Sequence, residues 1–402
     1  MISGSERVRG LDGLRAVAAF AIVVHHSGFW SGATFSGAWG RYLGRLDIGV
    51  PVFFALSGFL LFRPIVVCIL DDRPFRPVLV HLWRRALRIY PAFWVALALI
   101  VVFTTEQFQN ATEGVVTISL IHIYWPSYTL GPMPQSWSLA TEVSFYVALP
   151  IFARGLRGSL RDRSREQRRN ALYVFLALGV LASMAFRVVV LELDARWTGS
   201  AVLWLPGTFD YFAVGMTLAV AREGHVVGSR GRNRLERWAG PAGLWWVVAG
   251  LLFHVVSQHM GLALGLETAS WPREIGRQLV YVAIGFCLLF PLVFAGERQS
   301  VVRRITRSRP MEWLGLISYS VYLWHMVFIV HPWGPLRRLV EGVVDQSFLV
   351  VFIVAVIPTV VVATLSYYAV ERTAMGFQSA IRGPVPDSTS SEAAGQRRNE
   401  AT

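Results

Sequence analysis

LDGLRAVAAFAIVVHHSGF, residues 11–29, is an apolar run interrupted by charge at Asp12 and Arg15 and by two histidines. Arg15 and His26 lie eleven residues apart, about three turns of α-helix, so they share a face with roughly 16 Å of rise between them. His25 is turned about 100° away from that face. Ionisable groups inside a membrane span are costly, and when they share a face they point into a protein interior or a water-filled cavity. The spacing therefore predicts a membrane-embedded helix that offers a channel a cation at one depth and an imidazole at another.

The rest of the chain supports a membrane setting. Of 402 residues 54% are hydrophobic, and the mean hydropathy is +0.47. Apolar runs of about 17–24 residues recur, the length that crosses a hydrocarbon core as a helix. Ten spans are expected, at 11–29, 48–66, 85–104, 137–155, 170–191, 205–222, 240–258, 277–295, 313–331 and 347–370. The fold class is all-α: one polytopic domain over residues 1–382, followed by a polar, Pro/Ser-rich tail, 383–402, expected to be disordered and cytosolic. Residues 112–130 are apolar enough for an eleventh span, but counting them would put the seven-arginine loop 154–169 outside. They read instead as a re-entrant or surface-lying segment.

All 38 basic residues are Arg, which excludes lysine Schiff-base chemistry. With the N-terminus inside, 29 of them fall on the cytosolic side, counting those at the inner ends of spans; six fall outside, and Arg15, Arg187 and Arg277 lie within spans. That bias gives an N-in, C-in topology in a bacterial cytoplasmic membrane. It also accounts for the net charge of +13 without nucleic acid. Cys68 and Cys287 suggest neither a disulfide framework nor a metal site, and no metal is expected. The N-terminus has no A-x-A-like cleavage site, so the first span reads as retained.

Candidate chemistry gathers in four further stretches. HLWRRALRIYPAFW places Arg84, Arg85 and Arg88 where span 3 leaves the cytosol. Arg85 and Arg88 are neighbours on one helix face and can grip phosphate through forked hydrogen bonds, or contact lipid phosphates. SWSLATEVSFYVALP places Glu142 near the outer end of span 4, at a depth expected to match His26. A carboxylate and an imidazole together would make a base and its orienter for deprotonating a hydroxyl. GLISYSVYLWHMVF in span 9 carries Tyr319, Tyr322 and His325 within two turns, and Asp12, His25, Tyr322 and His325 are candidate supporting residues. Ser57 and Gly58 in FFALSGFL do not form a G-x-S-x-G elbow, and close helix packing is their expected use.

Six blocks in order, LDGLRAVAAFAIVVHHSG, GVPVFFALSGFLLF, LWRRALRIYPAFW, SWSLATEVSFY, ISYSVYLWH and SYYAVER, resemble the acyltransferase-3 family of integral-membrane O-acyltransferases over residues 9–372. The resemblance implies transfer of an acyl group, commonly acetyl, from cytosolic acyl-coenzyme A to a hydroxyl on an extracytoplasmic glycan, glycolipid or secondary metabolite. Carried over by position, its Arg-x10-His pair is Arg15 and His26, its R-x-x-R pair is Arg85 and Arg88, and its W-S-L-x-x-E acid is Glu142. Two positions depart from the family pattern: Val143 where a second acid is frequent, and Pro51 where Asp is frequent.

The expectation is that Arg85, Arg88 and Arg15 hold the coenzyme A phosphates while the pantetheine arm runs along span 1. His26 and Glu142 then act on the acceptor hydroxyl, and transfer is direct. A transporter or flippase of a lipid-linked sugar is the alternative, because buried charge and a re-entrant segment also suit a translocation path. A membrane sensor or scaffold would leave the Arg15/His26 alignment unexplained. Nine outer-side aromatics, Trp30, Trp39, Tyr124, Trp125, Tyr128, Trp137, Trp197, Trp204 and Trp271, could stack on sugar rings or form an interfacial belt.

Overall fold

The structure, a computed structural model, describes residues 8–104, 106–193, 195–265, 270–294, 300–330 and 347–380. The expected tail at 383–402 lies outside the described residues. No strand occurs among the described residues, and ten long helices fall where the apolar runs are. They are α1 (Leu11–Trp30), α2 (Gly49–Leu70), α3 (Val78–Phe103), α4 (Trp137–Leu160), α5 (Arg165–Leu193), α6 (Leu205–Gly224), α7 (Ala242–Gln258), α8 (Trp271–Phe294), α9 (Arg309–Val330) and α10 (Phe348–Ser366).

Among the described residues, seven helical stretches are long and apolar enough to cross a membrane. The number is eight if Arg230–Ala239 and α7, bent by 63°, form one span. Helices α1 and α6 fall short by that measure because each carries ionisable groups: Asp12, Arg15, His25 and His26 on α1, Asp210, Arg222 and Glu223 on α6. They do not need to be apolar all round, since their neighbours are protein. Thirteen of the twenty residues of α6 are buried, whereas only 17% of the most apolar windows of α5 and of the stretch containing α10 is. The interior helices can therefore carry charge, and the rim helices stay greasy for lipid.

Small residues set the interior spacing. Helix α2 packs along α6, and α1 along both α2 and α9. A methyl on Gly58 would collide with the Phe212 carbonyl and one on Gly215 with the Ala55 carbonyl, so the α2 and α6 backbones touch. The same holds for Gly315 against the Asp12 carbonyl, which seats α9 on the first turn of α1.

Between α3 and α4 the chain makes one eight-residue helix, Ala111–Ile118, and three 3-10 turns, the last at Pro134–Ser136. Eight residues rise about 12 Å, so this segment does not span, as the arginine bias required. Asn110 caps the helix by accepting the Glu113 amide at 3.0 Å. The segment is tied to the bundle: Ser200 and Trp204 both donate to the Ile123 carbonyl, and His122 and Ser136 meet at 3.2 Å. Burial pushes the His122 imidazole down to about 4, which keeps it a neutral pin. Gln135 Nε2 donates to the Leu323 carbonyl in α9 at 2.9 Å. Helix α4 therefore starts against the middle of α9.

Candidate active site

A cavity of about 410 Å³ opens where α1, α2, α3, α4 and α9 converge, and its walls carry Arg15, Arg63, Arg85 and Arg88 against Asp12 and Glu142. Arg15 pairs with Asp12 one turn away at 3.0 Å, and Arg63 with Glu223 at 2.5 Å. Arg85 and Arg88 have no carboxylate within salt-bridge distance among the described residues; the Arg85 guanidinium lies over the Tyr146 ring, 6.0 Å from its centroid. Glu142 accepts a hydrogen bond from the Ser57 hydroxyl and stands within charge reach of Arg15 and Arg85.

One more carboxylate reaches this end of the bundle. Glu371 closes a π-helical turn, Tyr367–Glu371, and is buried, accepting from the Ser320 hydroxyl and facing the charge of Arg88. A π-turn widens the helix by one residue per turn, and such turns are frequent at functional sites.

Tyr322 lines the cavity. Its hydroxyl donates to the Gln135 carbonyl at 2.8 Å and lies 2.7 Å from the Ser138 hydroxyl, which ties α9 to the buried start of α4. Behind it, one turn further along α9, is His325, fully buried, with its ring 5.6 Å from that of Tyr322. His325 Nδ1 sits 2.7 Å from the Tyr322 carbonyl, and His325 Nε2 is 3.0 Å from His26 Nδ1. Neither histidine lines the cavity, and His26 is partly exposed.

The expected site residues thus fall into two groups. Arg15, Asp12, Arg85, Arg88 and Glu142 come together at the cavity, with Tyr322 also in its lining. His26 and His325 come together outside the cavity lining, and His25 donates from Nδ1 to the Leu43 carbonyl at 3.0 Å, 4.9 Å from the His26 ring. His26 and Glu142, expected at one depth as base and orienter, are not brought together. The reason is the buried start of α4: five residues in from a start already at mid-bundle, Glu142 reaches the level of Arg15. Ser57 is also more than the packing residue expected, since Gly58 makes the close approach and Ser57 turns its hydroxyl to Glu142.

Sequence reasoning left Ser138, Tyr146 and Glu371 without a role and read Ser57 as a packing residue. The available signal for Glu371 was a lone carboxylate at the end of an apolar run, in SYYAVER. For the hydroxyls there was none, because a serine in a span reads equally well as a small packing residue.

Residues 8–368 match the family model described as an acyltransferase domain. Among curated proteins, the chain is 27% identical over 94% of its length and 85% of the other to BcsY of Komagataeibacter xylinus, whose name gives it a provisional assignment as a membrane-bound transacylase. It is 24% identical to the peptidoglycan O-acetyltransferase OatA of Listeria monocytogenes and 23% identical to the O-acetyltransferase OatA of Staphylococcus aureus, over 90% of this chain in both cases. It spans only 55% and 56% of those two proteins' own lengths. No solved structure matches it. With an ordered set of motifs, an all-α membrane bundle and a family match along nearly its whole length, the chain belongs to the acyltransferase-3 family of membrane-embedded O-acyltransferases.

Proposed function

We propose that this protein transfers an acyl group, acetyl by analogy with the names of its relatives, from acyl-coenzyme A on the cytosolic side of a bacterial inner membrane to a hydroxyl of an envelope glycan or glycolipid on the other side. One observation carries the reading. A cavity in whose lining Arg85 and Arg88 have no salt-bridge partner among the described residues also has Tyr322 in its wall, and one turn further along α9 His325 pairs with His26. The two guanidinium groups without a salt bridge suit an anion from outside the chain, and the cavity's 410 Å³ suits the acylated end of a slender arm rather than a whole nucleotide.

In this reading Arg85 and Arg88 bond the coenzyme A phosphates at the cytosolic mouth, and Arg15, held by Asp12, guides the arm. The arm follows α1 for the roughly 16 Å between Arg15 and His26. Glu142 tempers the arginine cluster and holds Ser57. The thioester passes Tyr322 to lie beside His26, and the acceptor hydroxyl approaches His26 from the opposite side. His26 takes the hydroxyl proton, the oxygen bonds to the acyl carbon, the carbon–sulfur bond breaks, and the thiolate leaves with the proton that His26 releases.

A second reading is favoured by the Ser57 hydroxyl, which donates to Glu142 inside the cavity: an acyl-Ser57 intermediate that precedes transfer. Intact mass after quenching a reaction without acceptor separates the two, since only the second gives an acylated protein that Ser57→Ala abolishes.

The test of the overall proposal is sidedness. In oriented vesicles, labelled acyl-coenzyme A is supplied to one face and a membrane-impermeant glycan acceptor is sealed on the other. Product is expected only with the donor on the cytosolic face. Product from donor and acceptor confined together on that face would overturn the through-membrane scheme.

A further inference from the structure

The contacts of the two histidines leave only one arrangement of their protons. A backbone carbonyl accepts and never donates, so the His325 nitrogen 2.7 Å from the Tyr322 carbonyl, Nδ1, carries a hydrogen. His325 is fully buried, with no carboxylate bonded to it among the described residues, so a neutral ring is the form the site accommodates. A neutral imidazole with hydrogen on Nδ1 has a bare lone pair on Nε2. That lone pair faces His26 Nδ1 at 3.0 Å, so His26 must be the donor in this bond. His26 then bears its hydrogen on Nδ1, and its Nε2 is left as the free basic nitrogen on a partly exposed ring.

We propose that His325 is a positioning residue that fixes the tautomer of His26, doing with an imidazole and a backbone carbonyl what a carboxylate does in a serine–histidine–aspartate triad. The proposal rests on the reading of His26 as the base. When His26 Nε2 takes the acceptor's proton, the ring becomes an imidazolium whose Nδ1–H stays bonded to the His325 lone pair. The charge is met without moving a second proton, and the Nε2 proton leaves with the departing thiolate. The Glu142 carboxylate is thereby freed from orienting the base and remains with Ser57 and the arginines. The arrangement also explains why Tyr322 is tied at its hydroxyl to Gln135 and Ser138: the same residue whose carbonyl sets the first tautomer is held rigid at its other end.

Three full-length variants in proteoliposomes test this. His325→Phe keeps a planar ring but offers no acceptor, and should lower kcat by about 10²- to 10⁴-fold with KM for acyl-coenzyme A unchanged. His325→Gln places an amide oxygen toward His26 and an amide N–H toward the Tyr322 carbonyl, and should recover much of the lost kcat. His26→Ala should be inactive. Because the phenylalanine variant risks misfolding, ¹⁵N spectra of ring-labelled wild-type protein provide an independent reading. They should show His26, assigned by loss of its signal in His26→Ala, protonated at Nδ1 and bare at Nε2. Wild-type kcat in His325→Phe, a glutamine variant as inactive as phenylalanine, or His26 protonated at Nε2 would each overturn the assignment to His325. Wild-type kcat in His26→Ala would instead overturn the base reading itself.

Discussion

Arg187 and Arg277 on one side of the bundle, and Arg85 and Arg88 on another, are all guanidinium groups carried by apolar helices, yet they meet different company. Arg277 faces Glu274 at 2.5 Å and Asp47 at 3.5 Å; Arg187 lies 3.8 Å from Glu274 and donates to the carbonyls of Gly207 and Val202. Asp210, beside them, accepts from Gln278 at 2.6 Å and Ser183 at 3.3 Å, and Tyr281 donates to Asp47. None of these residues lines the cavity. Arg85 and Arg88 look into open space and have no acid within salt-bridge distance among the described residues. Buried charge matched within the chain is architecture, because its partners are already spent on each other. Guanidinium groups at a cavity without an ion pair leave their bonding capacity open to a ligand.

Removing a carboxylate from the matched group should do the most damage. Glu274→Ala leaves two arginines short of their shared partner, and the expected cost is about 3 kcal/mol, the low end for a broken buried pair because Asp47 still faces Arg277. Thermal unfolding in nanodiscs measures it. A midpoint equal to wild type would mean that this network is not architecture.

Ligand should have the next largest effect, and only at the unmatched group. Coenzyme A at a hundred times its Kd should stabilise the wild type by about 2.7 kcal/mol and the Arg85→Ala/Arg88→Ala variant hardly at all. Equal stabilisation of both would break the comparison from the other side.

A single loss at the cavity should be functional rather than structural. Arg88→Ala should raise KM for acyl-coenzyme A roughly 30-fold, the equivalent of about 2 kcal/mol for charge-assisted bonds to phosphate, while thermal stability holds or rises as like-charge repulsion with Arg15 and Arg85 falls. Arg88→Lys should restore only part, because an ammonium lacks the fork. Loss of stability without a change in KM would place Arg88 with the architectural arginines.

Smallest of all should be Glu371→Gln. The amide still accepts from Ser320 but no longer steadies Arg88, so KM should rise about two- to fivefold, in line with roughly 0.5–1 kcal/mol for one adjusted contact. An unchanged KM would mean that the π-turn carboxylate belongs to packing alone.

The ten apolar runs, the non-spanning segment before α4 and the gathering of Arg15, Arg85 and Arg88 were all legible from periodicity and charge, because each is a property of one helix and its ends. The pairing of Glu142 was not. Its depth depended on where α4 begins, and Trp137 follows a segment whose sequence, apolar and turn-rich, does not reveal that it is buried. The partner of His26 was equally hidden: His325 was visible as a histidine in the far half of span 9, but only the packing of α9 on α1 through Gly315 sets the two rings 5.0 Å apart.

By itself, then, the sequence determined what must be inside a membrane and which residues are too costly to be there without a use, because hydropathy and charge are local and additive along a helix. The tertiary structure alone decided which costly residue serves which. Hydrogen bonds act over about 3 Å, and the register of α1 against α9, and of α4 against both, is fixed by contacts far apart in the chain. A shift of one turn in any of them would have paired His26 with a different partner.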